Sequence, residues 1–83
     1  MEKAAGFVSR EREWMDKARR FLKAELKRAD VTYEDLAGLL RQQGLEETKH
    51  SVAAKIGRGT FPAAFLLASL RAIGRNRLDL TQD

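Results

Sequence analysis

The 83-residue chain has no cysteine, and only one each of proline, histidine, tryptophan and tyrosine. Without cysteine there is no disulfide framework and no thiolate metal site. His50, the lone histidine, has no second histidine or cysteine to share a metal with, so no metal and no cofactor are expected. A thiol-free chain suits a reducing compartment, and a cytoplasmic protein is expected. No apolar run approaches the roughly 18 residues of a membrane span, so no membrane partner is expected. Met1-Glu2-Lys3-Ala4-Ala5-Gly6 lacks a basic stretch leading into an apolar one, so no secretion signal is expected. There is no Ser-His-Asp grouping and no acid/base pair, and no enzyme is expected. Repeats, low-complexity segments and alternating runs long enough for a sheet are also missing.

What is present is charge and helical periodicity. Lys and Arg number 16 against 12 Asp and Glu, a net charge of +4. The isoelectric point is about 9.9. Such a balance is the electrostatic footprint of many nucleic-acid binders, though the excess here is modest. A chain of this length buries only roughly 60–65% of its unfolded surface, so a second copy would help its stability.

Helix signals divide the chain. Residues 1–12 carry sparse apolar residues and balanced charge, and a flexible N-terminal arm is expected there. Trp14, Ala18, Phe21, Leu22, Leu26 and Ala29 then recur at helical spacing, predicting a helix from Glu13 to Ala29 with that stripe as core. The opposite face, with Arg19, Arg20, Lys23 and Lys27, reads as solvated. Thr32 is a good N-cap, and Asp35 three residues on completes a short capping box. Leu36, Leu39 and Leu40 form the buried face of that second helix, and Gly44 ends it. Leu45 to Thr48 is a turn. A third helix is predicted from Thr48 to Gly57, with Val52 and Ile56 inward. Its outer face would carry Glu47, His50, Ser51, Ala54 and Arg58, flanked by Lys49 and Lys55. Gly57 and Gly59 stop it, and Pro62 suits the first turn of a fourth helix running to Ile73. Phe65, Leu66, Leu67, Leu70 and Ile73 make that helix apolar over a wide arc, as a central core helix would be. The tail from Arg75 to Asp83 follows Gly74, and its Arg75 to Leu80 alternation suits a short strand or a docked coil. Leu78 and Leu80 suit either a dimer seam or a cover for the chain's own core. The class is all-α.

The order of caps and breakers from Phe21 to Gly74 resembles the Cro/phage-repressor (XRE-type) helix-turn-helix family. Thr32 to Ala37, Gly44-Leu45, Arg58-Gly59 with Pro62, and Leu70 to Gly74 carry the resemblance. Lys55 to Phe61 is also similar to a signature in a short, uncharacterised bacterial family. The first resemblance implies a lambda-repressor-like domain of four to five helices over residues 13–74. It implies a sequence-specific regulator that binds double-stranded DNA as a homodimer, and with no sensor domain expected in 83 residues a repressor is expected rather than an activator. Carried over by position, Thr32 and Tyr33 would lie at phosphates. Thr48, Lys49, His50 and Ser51 would open the recognition helix at base edges or phosphates, Ala54 would meet a thymine methyl, and Lys55 and Arg58 would anchor backbone. Two departures stand out: the turn after Gly44 is longer than the family's, and Gly57 stands where a glutamate is usual. Glu46 and Glu47 sit oddly beside phosphates, and favour as the alternative a protein-interaction module, antiactivator or antitoxin-like, on the same fold.

Overall fold

The computed structural model describes residues 2–81, with side-chain surroundings from residue 10 onward. Four helices follow in order: α1 (Glu2–Ala29), α2 (Tyr33–Gln42), α3 (Lys49–Arg58) and α4 (Ala63–Ala72). There is no strand among the described residues, and the tail after Gly74 runs as coil into a turn. α1 is the long element, and α2 to α4 form a compact group against its C-terminal part. α3 packs on both α1 and α2, and α2 packs on α4. The α1 backbone is helical from Glu2, so the arm expected over residues 1–12 is continuous with that helix in its described part.

The breakers act as the sequence suggests, with one addition. α2 ends in a Schellman motif: the Gly44 amide donates to the Arg41 carbonyl and the Leu45 amide to the Leu40 carbonyl, both at 3.0 Å. Gly44 provides the left-handed residue, with φ at 88°. α4 ends in the same way, with Gly74 bonding to Arg71 and Arg75 to Leu70. The addition is at α1, where Asp30 takes the left-handed position, φ 59°, that glycine holds elsewhere. Its amide meets the Lys27 carbonyl, and the Val31 amide meets that of Leu26. Aspartate tolerates this conformation better than most side chains.

The core is built from one stripe of each helix. Leu22 and Leu26 of α1, Leu36, Ala37 and Leu40 of α2, Val52 and Ile56 of α3, and Phe65 and Leu70 of α4 are all buried together. Each large member contributes about 1.5–3 kcal/mol of transfer free energy. Leu39, expected in the buried face of α2, is only partly buried and lies outside this cluster, and two further expected core residues are exposed. Trp14 is 61% exposed, because the compact group packs on α1 beyond it, and Leu67 is 65% exposed, on the solvent side of α4. Pro62 sits one position earlier than expected, as the N-cap residue of α4.

Candidate nucleic-acid interface

α2 and α3 both begin with a capping box. At α2 the Asp35 amide donates to the Thr32 hydroxyl at 3.0 Å, and the Thr32 amide donates to the Asp35 carboxylate at 3.1 Å. At α3 Ser51 replaces the acidic residue: its amide donates to the Thr48 hydroxyl at 3.1 Å, and its Oγ accepts from the Thr48 amide at 2.8 Å. The sequence showed the first box; the second was hidden because serine is not the usual partner. Each cap stabilises its helix start by about 1 kcal/mol.

The turn before α3 is closed by a group the sequence placed outside. Glu47 is buried, not on the outer face of α3. Its carboxylate accepts from the Ser51 hydroxyl at 2.6 Å and pairs with the Lys55 ammonium. The Arg41 guanidinium donates to the Glu47 carbonyl at 2.8 Å and ties the turn back to α2. The outward reading extended the helical projection back to a residue that precedes the helix, where 100° per residue no longer applies. Burial pushes the Glu47 carboxyl up, but the Lys55 and Ser51 hydrogen bonds outweigh that and hold it below its ordinary range. Lys55 Nζ also lies 5.2 Å from the Phe65 ring centroid, a cation–π contact.

The far end of α3 is fixed from α1. Arg19 donates to the Gly57 carbonyl at 2.5 Å, so this residue of the face read as solvated caps a helix end. Arg19 also pairs with Asp16, whose carboxyl it holds below the ordinary range. Gly59 follows with φ 72°, and its Cα lies hard against the α1 backbone. A Cβ there would stand 2.9 Å from the Met15 carbonyl carbon and closer still to its oxygen.

The nine expected contact residues therefore separate into two groups. Thr32 and Thr48 are exposed but serve as caps, Ser51 and Lys55 are half-buried and engaged by Glu47, and the half-buried Tyr33 packs against the core. Lys49, His50, Ala54 and Arg58 are exposed. His50, Ala54 and Arg58 fall at i, i+4 and i+8, which keeps them on one face of α3, and Lys49 stands beside its first turn. The arrangement presents two cations, one imidazole and a small residue on a helix held at both ends.

A second buried carboxylate was missed altogether. Glu25 is 2% exposed on α1 between Leu22 and Leu26, where it pairs with Arg28 at 3.0 Å and Arg75 at 2.5 Å. The Arg75 guanidinium is pushed up by the Glu25 hydrogen bond. The only sequence signal was a glutamate at the edge of the apolar stripe. Among the described residues no cluster of His, Asp or Glu can hold a metal ion, and no helix is long and apolar enough to cross a membrane.

Residues 14–78 match the family model described as Domain of unknown function (DUF6471), and the chain belongs to that family. No curated protein and no solved structure matches the chain significantly.

Proposed function

We propose that this member of the DUF6471 family is a small DNA-binding regulator of the lambda-repressor-like helix-turn-helix type. In this reading α2 and α3 are the two motif helices, α3 lies in the major groove, and the chain acts as a homodimer on a near-palindromic operator. Two copies of α3 would then enter successive grooves about 34 Å apart, and occupation of the site would exclude other proteins from it.

The observation that supports this most is the outer face of α3. Its exposed stripe of His50, Ala54 and Arg58, with Lys49 alongside, contains no carboxylate. Arg or Lys at base edges and phosphates is the commonest chemistry of DNA recognition. The inward turn of Glu47 removes one of the two charges that sit oddly beside phosphates, leaving Glu46 as the exposed acid of the turn. It also removes half of the reason for a protein partner on this face. Lys55 drops from the contact set, because Glu47 already holds it.

Selection of bound duplexes from a random pool, followed by fluorescence polarisation across a salt series, tests the reading. The expected result is an enriched near-palindrome, bound with a log–log salt slope of about −0.9 for each neutralised phosphate. Lys49→Ala and Arg58→Ala should each weaken binding and flatten the slope by about one unit. No enrichment, or binding indifferent to salt, rejects the proposal.

A further inference from the structure

Three of the four large apolar side chains left exposed among the described residues lie together beside α1, with Leu67 apart on α4. Trp14 is 61% exposed, Leu78 46% and Leu80 70%. All three line one open groove, which also includes Phe21 of α1, Phe61 and Leu66 and has a volume of about 180 Å³. The walls come from stretches far apart in sequence: α1, the α3–α4 joint with α4, and the tail. We propose that this groove is a homodimer face, and that its occupant is the same face of a second copy of the chain.

Three arguments favour a second copy. The first is shape. A twofold contact needs one patch that complements itself. Trp14 lines this groove and is 61% exposed, so across a twofold axis each copy's indole can pack against the other's groove. The second is area. Trp14, Leu78 and Leu80 expose on the order of 300–400 Å² of apolar surface, more than single scattered residues would leave. A standard interface takes about 800 Å² per partner, of which about 65% is apolar in homodimers. Phe21, Phe61 and Leu66, partly buried against the core, add a smaller apolar area to the same patch. The third is charge. Lys17 is the one charged residue lining the groove, and the exposed stretch of α1 before Trp14, Arg10 to Glu13, carries both signs, so two copies are not driven apart.

A small apolar ligand fits less well. Such sites enclose about 70–90% of their ligand, whereas Trp14 and Leu80 stand outward here. None of the nine expected DNA-contact residues lines the groove, so both surfaces can be used together. The inference supplies the face for the homodimer proposed above and rests on that reading only for its expectation of two copies. Its test contains no DNA, so the two fail separately.

The experiment is sedimentation velocity of the full chain, from low micromolar to near-millimolar concentration, with fluorescence of the sole tryptophan read on the same samples. The expected mass rises from 9.4 kDa to twice that value. Trp14 emission should shift to the blue along the same concentration curve. Leu80→Glu should raise the dissociation constant roughly a hundredfold or more while the thermal midpoint of the dilute chain stays put. Should that midpoint fall, Leu80→Ser becomes the variant that is read. A chain that stays monomeric throughout overturns the proposal. So does a dimer whose tryptophan emission does not move, or one that survives both Leu80 variants.

Discussion

α3 and the tail after Gly74 are both short segments packed on the rest of the chain, but they are held differently. α3 is fixed at two ends. Glu47, Ser51 and Lys55 lock its start, and Arg19 and Gly59 lock its finish against α1. The tail is anchored near its start by the Arg75–Glu25 pair, with an electrostatic attraction of Asp79 to Arg28 farther on, while Leu78 and Leu80 lie exposed. The difference concerns what each segment is prepared for. A helix whose ends cannot shift offers its outer side chains in one arrangement, which is what recognition of a rigid partner requires. A tail anchored mainly at its start keeps freedom to settle when something covers its apolar end.

The strongest way to break the contrast is at the finish of α3. Gly59→Ala forces a left-handed alanine and a Cβ into the Met15 carbonyl. The expected cost is about 3 kcal/mol or more, from backbone strain and displacement of α1. For a chain of this size that lowers the thermal midpoint by roughly 15 °C. A calorimetric shift of only a few degrees would mean that α1 and α3 do not approach as closely as the structure has them.

The next largest effect is at the start of α3. Glu47→Gln leaves Lys55 without its counter-ion and should cost about 2 kcal/mol, less than a fully buried pair because Lys55 stays partly in solvent. The pH dependence supplies the sign. The folded Glu47 carboxyl is held below its ordinary value of 4.5. Its contribution is therefore complete above that pH and is lost as pH falls through the depressed folded value. Urea unfolding of both proteins between pH 7 and pH 2 should show their difference shrinking only in that acid window. Asp16 and Asp79, also held low, titrate in both proteins and cancel in the difference.

These two sites also show what could be read from the sequence. The positions of α2, α3 and α4, the Thr32–Asp35 box and the Gly44 end were legible because each depends on residues within one turn of one another, whereas the start of α1 at Glu2 was not. The inward faces of Val52 and Ile56 followed from periodicity alone. Glu47, Glu25 and Gly59 were not legible in the same way. Their roles depend on Lys55 across the helix start, on Arg75 at the other end of the chain, and on the α1 backbone at Met15. No local pattern reports such contacts. Trp14 failed for the same reason: periodicity put it on the apolar face of α1, but only the placing of the compact group shows where that face stops being covered. Four of the nine expected contact residues stayed available on α3 because exposure along a helix is periodic. Lys55 and Ser51 were lost to a carboxylate whose direction the sequence did not give away.

The tail supplies a smaller effect. Arg75→Ala should leave the bundle folded, since the Arg75 amide still closes α4 on the Leu70 carbonyl and Glu25 keeps Arg28. Chymotrypsin should then cut after Leu78 or Leu80 several-fold faster, with a smaller shift in thermal midpoint than Glu47→Gln causes. Equal protection in both proteins would show that the apolar contacts of Leu78, not the ion pair, hold the tail.

The smallest expected effect asks whether α3 is held more firmly than its neighbour α2 or merely in the same way. Both helices start with a threonine box, but only the α3 box is backed by a buried carboxylate. Thr32→Ala removes one hydroxyl acceptor and should cost about 1 kcal/mol, with the Asp35 carboxylate still receiving the residue 32 amide. Thr48→Ala should cost no more, because Glu47 keeps Ser51 and Lys55 in place when the threonine hydroxyl is gone. In the Glu47→Gln background that protection is weaker, so Thr48→Ala should cost more there than in the wild type, while Thr32→Ala should cost the same in both. A double-mutant cycle on chemical unfolding reads this coupling directly. Equal, additive losses at the two caps would mean that the carboxylate and the cap act independently, and that the start of α3 owes its position to the cap alone.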